Sequence, residues 1–248
     1  MIFGFLGMTY EFKWSVLWVQ PHLTWLIDGI STTLRLAAIS WCFAVLLGIL
    51  FGAMRTVPFR PVRIVATAYV EFFRNVPLLV WLFFWYFGAP EVFPEVVRQW
   101  FIRHGIEFWS GVAAISVYHG SRLAEVIRSG IQSIPKTQLE AGISSGLSVV
   151  QTYRLIIIPV ALRLIVPPAT NESLNLLKNT SLAMTIGVAE LTFATRQIET
   201  YTAKAVEALS AAALLYLVLC LSISTVMNRL ESKFAIPGLI ARGVKAEH

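Results

Sequence analysis

The sequence predicts an all-α membrane protein that forms a single transmembrane domain over residues 1–248 and crosses the bilayer with five helices. Hydrophobic residues make up 56% of the chain and charged residues only 14%, and the mean hydropathy is +0.69. A soluble domain carries about 25% charged residues. The apolar residues also form five long blocks, each long enough for a helix that spans the hydrocarbon core.

The five blocks are separated by polar or charged segments. An aromatic segment at 1–27 precedes them, and its Trp and Tyr side chains favour the level of the lipid headgroups. A basic turn follows the first block, loops of mixed charge follow the second and fourth, the polar loop 135–159 follows the third, and a basic tail ends the chain. The expected spans cover about residues 29–54, 64–87, 109–131, 160–185 and 208–227.

Lysine and arginine are unequally distributed between the two sides that these spans define. One side has three in the turn 55–63, four around the loop 135–159 and four in the C-terminal tail. The other side has one in 1–27 and two in each of the mixed-charge loops. Because loops rich in Lys and Arg stay in the cytoplasm, we expect the N-terminus outside, the C-terminus inside and the loop 135–159 in the cytosol.

The loop 135–159 contains several signals for helix ends. Gly146 is a natural stop for a helix, because glycine readily adopts the left-handed conformation that follows a C-terminus. We therefore expect a short helix at about 138–145, a turn with positive φ at Gly146, and a second helix running into Pro159. Two residue pairs have the spacing of a capping box, Thr137 with Glu140 and Ser148 with Gln151.

The same loop resembles the cytosolic loop of permease subunits of bacterial ATP-binding-cassette importers. The family pattern is Glu-Ala-Ala, three residues, Gly, nine residues, and Ile-x-Leu-Pro. This chain departs from it at Gly142 and Ile158, where one small residue replaces another and one aliphatic residue replaces another. The resemblance extends from about Gly29 to the tail, and it is closest to permeases for polar amino acids, in particular the glutamate/aspartate type. The residues at the positions of this pattern are Glu140, Ala141, Gly142, Gly146, Ile156, Ile158 and Pro159.

This resemblance implies the fold, the location and the partners. It implies the type I importer permease fold in the bacterial inner membrane, and a complex of two permeases, the second expected to be a paralogue, with two cytosolic ATPases and a periplasmic solute-binding protein. ATP and magnesium would be bound by the ATPases, so this chain would need no cofactor or metal and would catalyse no reaction itself. The residues implied to couple it to an ATPase are Glu140, Ala141, Gly142 and Gly146.

Polar side chains inside the expected third and fourth spans are the candidates for a substrate pathway, because a charged group in the bilayer is costly unless it faces a cavity or a partner. Asn171, Asn175 and Lys178 recur at i, i+4 and i+7 and share one helical face, although Lys178 could also extend to the outer headgroups. Pro167 and Pro168 are expected to interrupt the helix just before them, as in helices that line a transport cavity. The candidate pathway residues are Arg122, Asn171, Glu172, Asn175 and Lys178.

Arg122 is the candidate residue for recognising the substrate. The stretch His119–Glu125 resembles the family's Ser-Gly-Ala-Tyr-Leu-Ala-Glu, with arginine where many relatives carry tyrosine. A guanidinium binds a carboxylate bidentately, so we expect it to take the side-chain carboxylate of an acidic amino acid while Glu172 or nearby amides hold the ammonium group. The expected substrate is glutamate or aspartate; glutamine, histidine and arginine are the alternatives.

Structural roles stay open for several of these side chains. Arg122 and Glu125 stand three residues apart and could form a fixed pair within one helix, while His119 could simply be a packing residue. Glu71 and Arg74 have the same spacing near the cytosolic end of their span, and for them we favour the structural interpretation.

A second class of function, a membrane-embedded enzyme or sensor, is weighed against the permease. The sequence contains no Gly-x-x-x-x-Gly-Lys-Ser/Thr phosphate loop, its two cysteines lie in apolar blocks, and its four histidines show no ligand spacing. A sensor would usually carry a larger soluble output domain than the tail of about twenty residues. The net charge of +6 reflects basic residues facing the cytosol rather than a nucleic-acid partner. The permease is therefore the favoured function.

Overall fold

The computed structural model describes residues 10–234, and every regular element in this range is helical. Short 3₁₀ segments lie at Trp14–Leu17 and Thr180–Ile186, and π-helical segments lie at Phe84–Gly88 and Tyr153–Ile157. The all-α prediction is confirmed. The α-helices are α1 His22–Met54, α2 Arg60–Arg74, α3 Leu78–Phe83, α4 Ala89–Val92, α5 Glu95–His104, α6 Ile106–Gln132, α7 Lys136–Ser144, α8 Val149–Thr152, α9 Ile158–Asn179, α10 Leu191–Thr202 and α11 Ala205–Phe234.

Helix α6 is the central helix, packing against α1, α2, α3 and α9. Its contact with α1 is close because glycines lie at the crossing. A Cβ on Gly48 would lie 2.7 Å from the Cβ of Leu123, and one on Gly120 would lie 2.8 Å from the Cβ of Leu47. Small residues let two membrane helices approach in this way.

Three helical segments in the described range are long and apolar enough to cross a bilayer, and they correspond to the first, fourth and fifth expected spans. The first begins at His22 rather than 29, and the fourth reaches back to Val149. Helix α6 matches the expected third span and is about 40 Å long at 1.5 Å per residue, but it is more polar than these three. The three segments are His22–Met54, Val149–Ile186 and Ala205–Arg229.

The expected second span, 64–87, is not one straight helix. Arg60–Arg74 and Leu78–Val92 are bent by 99° relative to each other. The bend lies at Pro77, which cannot donate a backbone hydrogen bond and disfavours the helical conformation of the residue before it. The helices at the expected second span are therefore bent against each other, and the described residues contain a fourth apolar crossing only if the bent pair forms one.

Both π-helical segments precede a proline by the same spacing. Phe84–Gly88 is followed two residues later by Pro90, and Tyr153–Ile157 is followed two residues later by Pro159. Proline has no N–H for the carbonyl four residues earlier, and its ring clashes with that carbonyl in a regular α-helix. The wider π turn makes room for the ring, so the second helix of the loop does not end at Pro159, contrary to the prediction.

Helix α9 also continues through Pro167 and Pro168 without a break. The predicted interruption at these prolines is therefore wrong. The helix changes only at Thr180, where it tightens into a 3₁₀ segment that ends at Gly187 with a φ of +87°. The polar residues of α9 thus lie on a regular helix.

Two buried carboxylates fasten the other elements to the bundle. Glu190 caps α10 by accepting hydrogen bonds from the N–H groups of Thr192 and Phe193, both at 2.9 Å, and it also accepts one from the hydroxyl of Tyr216 on α11 at 2.5 Å. Glu207, in the first turn of α11, accepts hydrogen bonds from the hydroxyl of Tyr10 and the backbone N–H of Lys13. The segment before α1 is therefore attached to α11; residues 1–9 of the predicted interfacial segment lie outside the described residues.

Candidate functional site

Helices α6 and α9 bring three ionisable side chains together inside the bundle. His119 and Arg122 lie one turn apart on α6, and Glu172 faces them from α9. The Oε1 atom of Glu172 accepts a hydrogen bond from Nε of Arg122 at 2.8 Å and lies 2.7 Å from Nδ1 of His119. We call these three residues the Glu172 cluster.

The members of the Glu172 cluster differ in exposure. The side chain of His119 is fully buried and that of Glu172 is 7% exposed, whereas 43% of the Arg122 side chain is exposed. The Cζ atom of Arg122 lies 5.8 Å from the centre of the Tyr118 ring, within the range of a cation–π contact. The guanidinium is therefore held on one edge and open on the other.

The alternative pairing of Arg122 with Glu125 does not form. Glu125 instead accepts hydrogen bonds from Arg55 and Arg128, and these guanidinium groups occupy its carboxylate. Arg122 pairs with Glu172 instead.

The other predicted pathway residues lie on α9 beside the cluster without joining it. Asn171 and Lys178 are exposed and Asn175 is half-buried. Among residues 10–234, no other side chain or backbone group hydrogen-bonds to the side chains of these three residues. They form an open polar strip on the surface of α9, which we call the α9 polar strip.

Sequence reasoning placed Asn179 on a helical face shared with Glu172 and Asn175 but included neither Asn179 nor His119 among the pathway residues. The Nδ2 atom of Asn179 lies 3.1 Å from Nε2 of His119, so the cluster extends to a fourth residue. The helical period places Asn179 on the same face as Glu172, and that signal was present in the sequence. Nothing local in the sequence distinguishes His119 from a packing histidine, because its partner is 53 residues away.

A second group of charges lies further along α6, and we call it the Glu125 cluster. It joins the end of α1, helix α2 and α6 through Arg55, Arg74 and Arg128. Arg74 lies 3.8 Å from Glu125 and 3.3 Å from Glu71, and Arg55 also lies 3.8 Å from Glu71. The structural pairing favoured for Glu71 and Arg74 is confirmed.

The loop 135–159 forms two helices joined by a tight turn. Helix α7 covers Lys136–Ser144, slightly earlier than the predicted 138–145. Gly146 has a φ of +86°, as predicted, and the N–H of Leu147 donates to the carbonyl of Gly142 at 3.2 Å, which closes the helix end.

Only one of the two predicted capping boxes forms. The Ser148 N–H donates to the Gln151 side chain at 2.9 Å, and the Gln151 N–H donates to the Ser148 hydroxyl at 3.3 Å. The pair Thr137 and Glu140 makes no such box, because α7 already begins after Pro135 and Thr137 lies inside its first turn.

Gly142 is where α7 meets the helix that follows. A Cβ on this residue would lie 2.5 Å from Cγ2 of Thr152 and 3.1 Å from Cδ1 of Ile156. The neighbouring side chains would have to move to make room for it. Glu140 and Ala141 are exposed on the neighbouring face of α7. The residue that departs from the family's Glu-Ala-Ala pattern is therefore the one that permits close packing here.

A comparison with protein families gives one match that covers most of the chain. Residues 44–236 match the family described as binding-protein-dependent transport system inner membrane component. The match includes the Glu172 cluster, the Glu125 cluster and the loop 135–159.

Similar individual proteins are permeases for amino acids. The chain is 36% identical over 241 residues to the glutamate/aspartate import permease protein GltJ of Escherichia coli (strain K12), covering 93% of this chain and 98% of the relative. It is 34% identical over 226 residues to the glutamine transport system permease protein GlnP of the same organism, covering 91% and 99%. Its fold is similar to the crystal structure of an amino acid ABC transporter with histidines, with a TM-score of 0.76, 30% identity, and coverage of 91% of this chain and 100% of that one.

Proposed function

This chain belongs to the family of binding-protein-dependent transport system inner membrane components, and we propose that it is the permease subunit of an importer for glutamate and aspartate. That the chain is a permease of an amino-acid ABC importer follows from the family and from relatives that match nearly the whole chain. The observation that supports glutamate and aspartate as the substrates is the half-exposed guanidinium of Arg122, which binds Glu172 inside the bundle through its Nε atom.

The geometry of the Glu172 cluster suits an acidic amino acid. Because Nε of Arg122 binds Glu172, its two terminal nitrogens form the open edge that a substrate carboxylate would meet. A guanidinium keeps its charge at all relevant pH values and binds a planar carboxylate with two parallel hydrogen bonds. We propose that Arg122 binds the side-chain carboxylate of the substrate through this edge and turns away from Glu172 as it does so, and that Glu172 receives the ammonium group of the substrate.

The test is uptake by the reconstituted complex carrying Arg122→Gln or Arg122→Lys. We expect Arg122→Gln to lower glutamate uptake by about a hundredfold and Arg122→Lys by about tenfold, since lysine keeps the charge but loses the bidentate fork. Arg103→Gln, at an exposed arginine of α5, is the control. If both Arg122 variants transport glutamate as the wild type does, Arg122 does not recognise the side-chain carboxylate of the substrate.

A glutamine permease is the second candidate, because the similarity to the glutamine relative is nearly as high. Competition separates the two candidates. Unlabelled glutamate and aspartate should suppress uptake of labelled glutamate at lower concentration than glutamine does, and the reverse order would favour glutamine.

We further propose five crossings with a periplasmic N-terminus. The three apolar segments, the bent pair and the central helix α6 supply five crossings, and the distribution of Lys and Arg supports the orientation. In a background lacking Cys42 and Cys220, a cysteine introduced by Thr202→Cys should react with an impermeant thiol reagent in intact inner-membrane vesicles of periplasmic-side-out orientation. One introduced by Ser144→Cys should react only after the vesicles are opened. Labelling at Ser144 without opening would overturn this topology.

The loop 135–159 is proposed to dock on the cytosolic ATPase. Its support is an exposed face with Glu140 and Ala141, on a helix pair fixed by the close contact at Gly142. Gly146→Val should strain the turn, because a β-branched residue resists a φ of +86°, and it should lower the amount of ATPase that co-purifies.

Gly105→Val is a matched control for this test. Gly105 also has a positive φ, +94°, and likewise has open space around its Cα, but it lies between α5 and α6 outside the loop. Equal loss of ATPase in both variants would indicate a general folding defect and contradict a docking role for the loop.

The α9 polar strip supports the proposal of a second permease subunit. Exposed amides and a lysine at membrane depth are costly against lipid, so this face of Asn171, Asn175 and Lys178 is expected to line an aqueous cavity shared with the second subunit. We propose that the complex contains this second, paralogous permease, two ATPases that bind ATP and magnesium, and a periplasmic solute-binding protein. The chain itself is proposed to act in the bacterial inner membrane without catalysing hydrolysis.

A further inference from the structure

We infer that His119 is a positioning residue: anchored by Asn179, it holds the Glu172 carboxylate in place when Arg122 turns from Glu172 to a substrate carboxylate. This inference rests on the proposed function, because it concerns the same site. It assigns a role to His119 and Asn179, neither of which is needed for Arg122 itself to contact the substrate.

The hydrogen bonds around His119 fix the direction of donation. An ionised carboxylate can only accept a hydrogen bond, so Nδ1 of His119 carries a proton and donates it to Oε1 of Glu172 at 2.7 Å. In a neutral ring Nε2 then carries no proton, and it accepts from the Nδ2 amide of Asn179 at 3.1 Å. The chain of donors runs from Asn179 through a neutral His119 to Glu172.

Both donors of the cluster converge on one oxygen of Glu172. Arg122 and His119 each donate to Oε1, whereas Oε2 accepts no hydrogen bond from the described residues. If Arg122 were the only donor, its departure toward a substrate would leave a buried carboxylate with no partner, which is strongly unfavourable. The bond from His119 remains when Arg122 leaves, and Oε2 stays available for an ammonium group.

The burial of His119 suits this role. Its ring is fully buried, in contrast to the half-exposed Arg122, so it does not contact a ligand that enters from the exposed side. It acts on the substrate only through Glu172, and its own orientation depends on Asn179.

The first experiment observes the hydrogen-bond chain without any transport. Nitrogen-15 NMR of histidine-labelled, assembled complex at pH 7 should show one histidine in the neutral Nδ1–H form, and this signal should disappear in His119→Asn. In Asn179→Leu the His119 signal should remain, but the ring should no longer be restricted to the Nδ1–H form and should also show the other tautomer or the protonated ring. A His119 signal with the proton on Nε2 in the wild type would overturn the inference.

The second experiment measures glutamate binding to the purified permease–ATPase complex in the absence of binding protein. His119→Leu should weaken binding about tenfold, because a hydrogen bond to a charged group is lost. His119→Asn should stay within about threefold, since its amide can supply a donor near the position of Nδ1. Ser121→Ala, at a buried residue of the same helix, is the control and should bind as the wild type does.

The outcomes separate this inference from the proposed function. If Arg122→Gln binds glutamate as the wild type does, the proposed function fails, whatever His119 does. If Arg122→Gln loses binding but His119→Leu and Asn179→Leu keep it, the role of His119 is overturned while the proposed function stands. The inference is also overturned if His119→Asn and His119→Leu bind equally weakly, because the hydrogen bond would then not be the property that matters.

Discussion

The two charged clusters on α6 lie one helical turn apart and are built in opposite ways. In the Glu172 cluster, one carboxylate receives two donors on a single oxygen, and its only arginine is half exposed. In the Glu125 cluster, one carboxylate faces three arginines from α1, α2 and α6, with Glu71 beside them. In the first cluster Oε2 of Glu172 accepts no hydrogen bond from the described residues, whereas in the second both carboxylate oxygens of Glu125 accept hydrogen bonds.

This difference indicates what each cluster can do. A saturated network holds its helices in one arrangement, because each member would lose partners by moving. A cluster with an unused carboxylate oxygen and an open guanidinium edge can exchange a partner for a ligand. Charge inside a helical bundle is therefore weak evidence for a substrate site, and the number of unused donors and acceptors is better evidence.

The largest expected effect that tests this comparison comes from Glu172→Gln. Removing the charge leaves Arg122 without a counter-charge and replaces one acceptor oxygen by an amide donor beside His119 and Arg122, and breaking a buried pair costs about 3 kcal/mol or more. We expect a lower melting temperature of the assembled complex and loss of glutamate uptake. Glu199→Gln, which removes the partner of exposed Arg196, serves as the control. Wild-type melting and uptake in Glu172→Gln would contradict the comparison.

An intermediate effect is expected for Glu125→Gln. The variant should lose about 2 kcal/mol of stability, because three arginines lose a shared partner, but their side chains are 10–35% exposed and can reach water. Uptake per assembled complex should therefore fall by less than about threefold. If uptake is abolished in fully assembled complex, the Glu125 cluster is as closely tied to transport as the Glu172 cluster and the proposed division is wrong.

The smallest effect is expected for Glu71→Gln. Its carboxylate lies 3.3 Å from Arg74 and 3.8 Å from Arg55, and its side chain is 42% exposed. Exposed pairs of this kind contribute about 1 kcal/mol or less, so melting and uptake should stay close to the wild type. A loss of stability as large as that of Glu125→Gln would show that Glu71 contributes as much to the Glu125 cluster as Glu125 does.

The sequence was informative where the cause of a structure is local. Long apolar blocks predicted α1 and α11, the left-handed preference of glycine predicted the turn at Gly146, and the spacing of Ser148 and Gln151 predicted a capping box that forms. Each of these depends on residues within a few positions of one another.

Predictions failed where packing between distant segments decides. Pro77 marks a break, but its 99° angle depends on how α2 and α3 pack on α6. Pro159, Pro167 and Pro168 lie in helical surroundings although isolated proline disfavours a helix. In the candidate site, the pairing of Arg122 with Glu172 rather than Glu125 depends on Arg55 and Arg74, which reach Glu125 from other helices, so spacing along α6 could not decide it.

The π-helical segment before Pro159 has a mechanical consequence. It lets one helical rod run from Val149, beside the turn at Gly146, to Glu172 inside the bundle. At 1.5 Å per residue these two points are about 35 Å apart. The loop end and Glu172 are therefore joined by continuous helix, so that no flexible linker separates a displacement at the loop from the contacts of the carboxylate with His119 and Arg122 on the neighbouring helix.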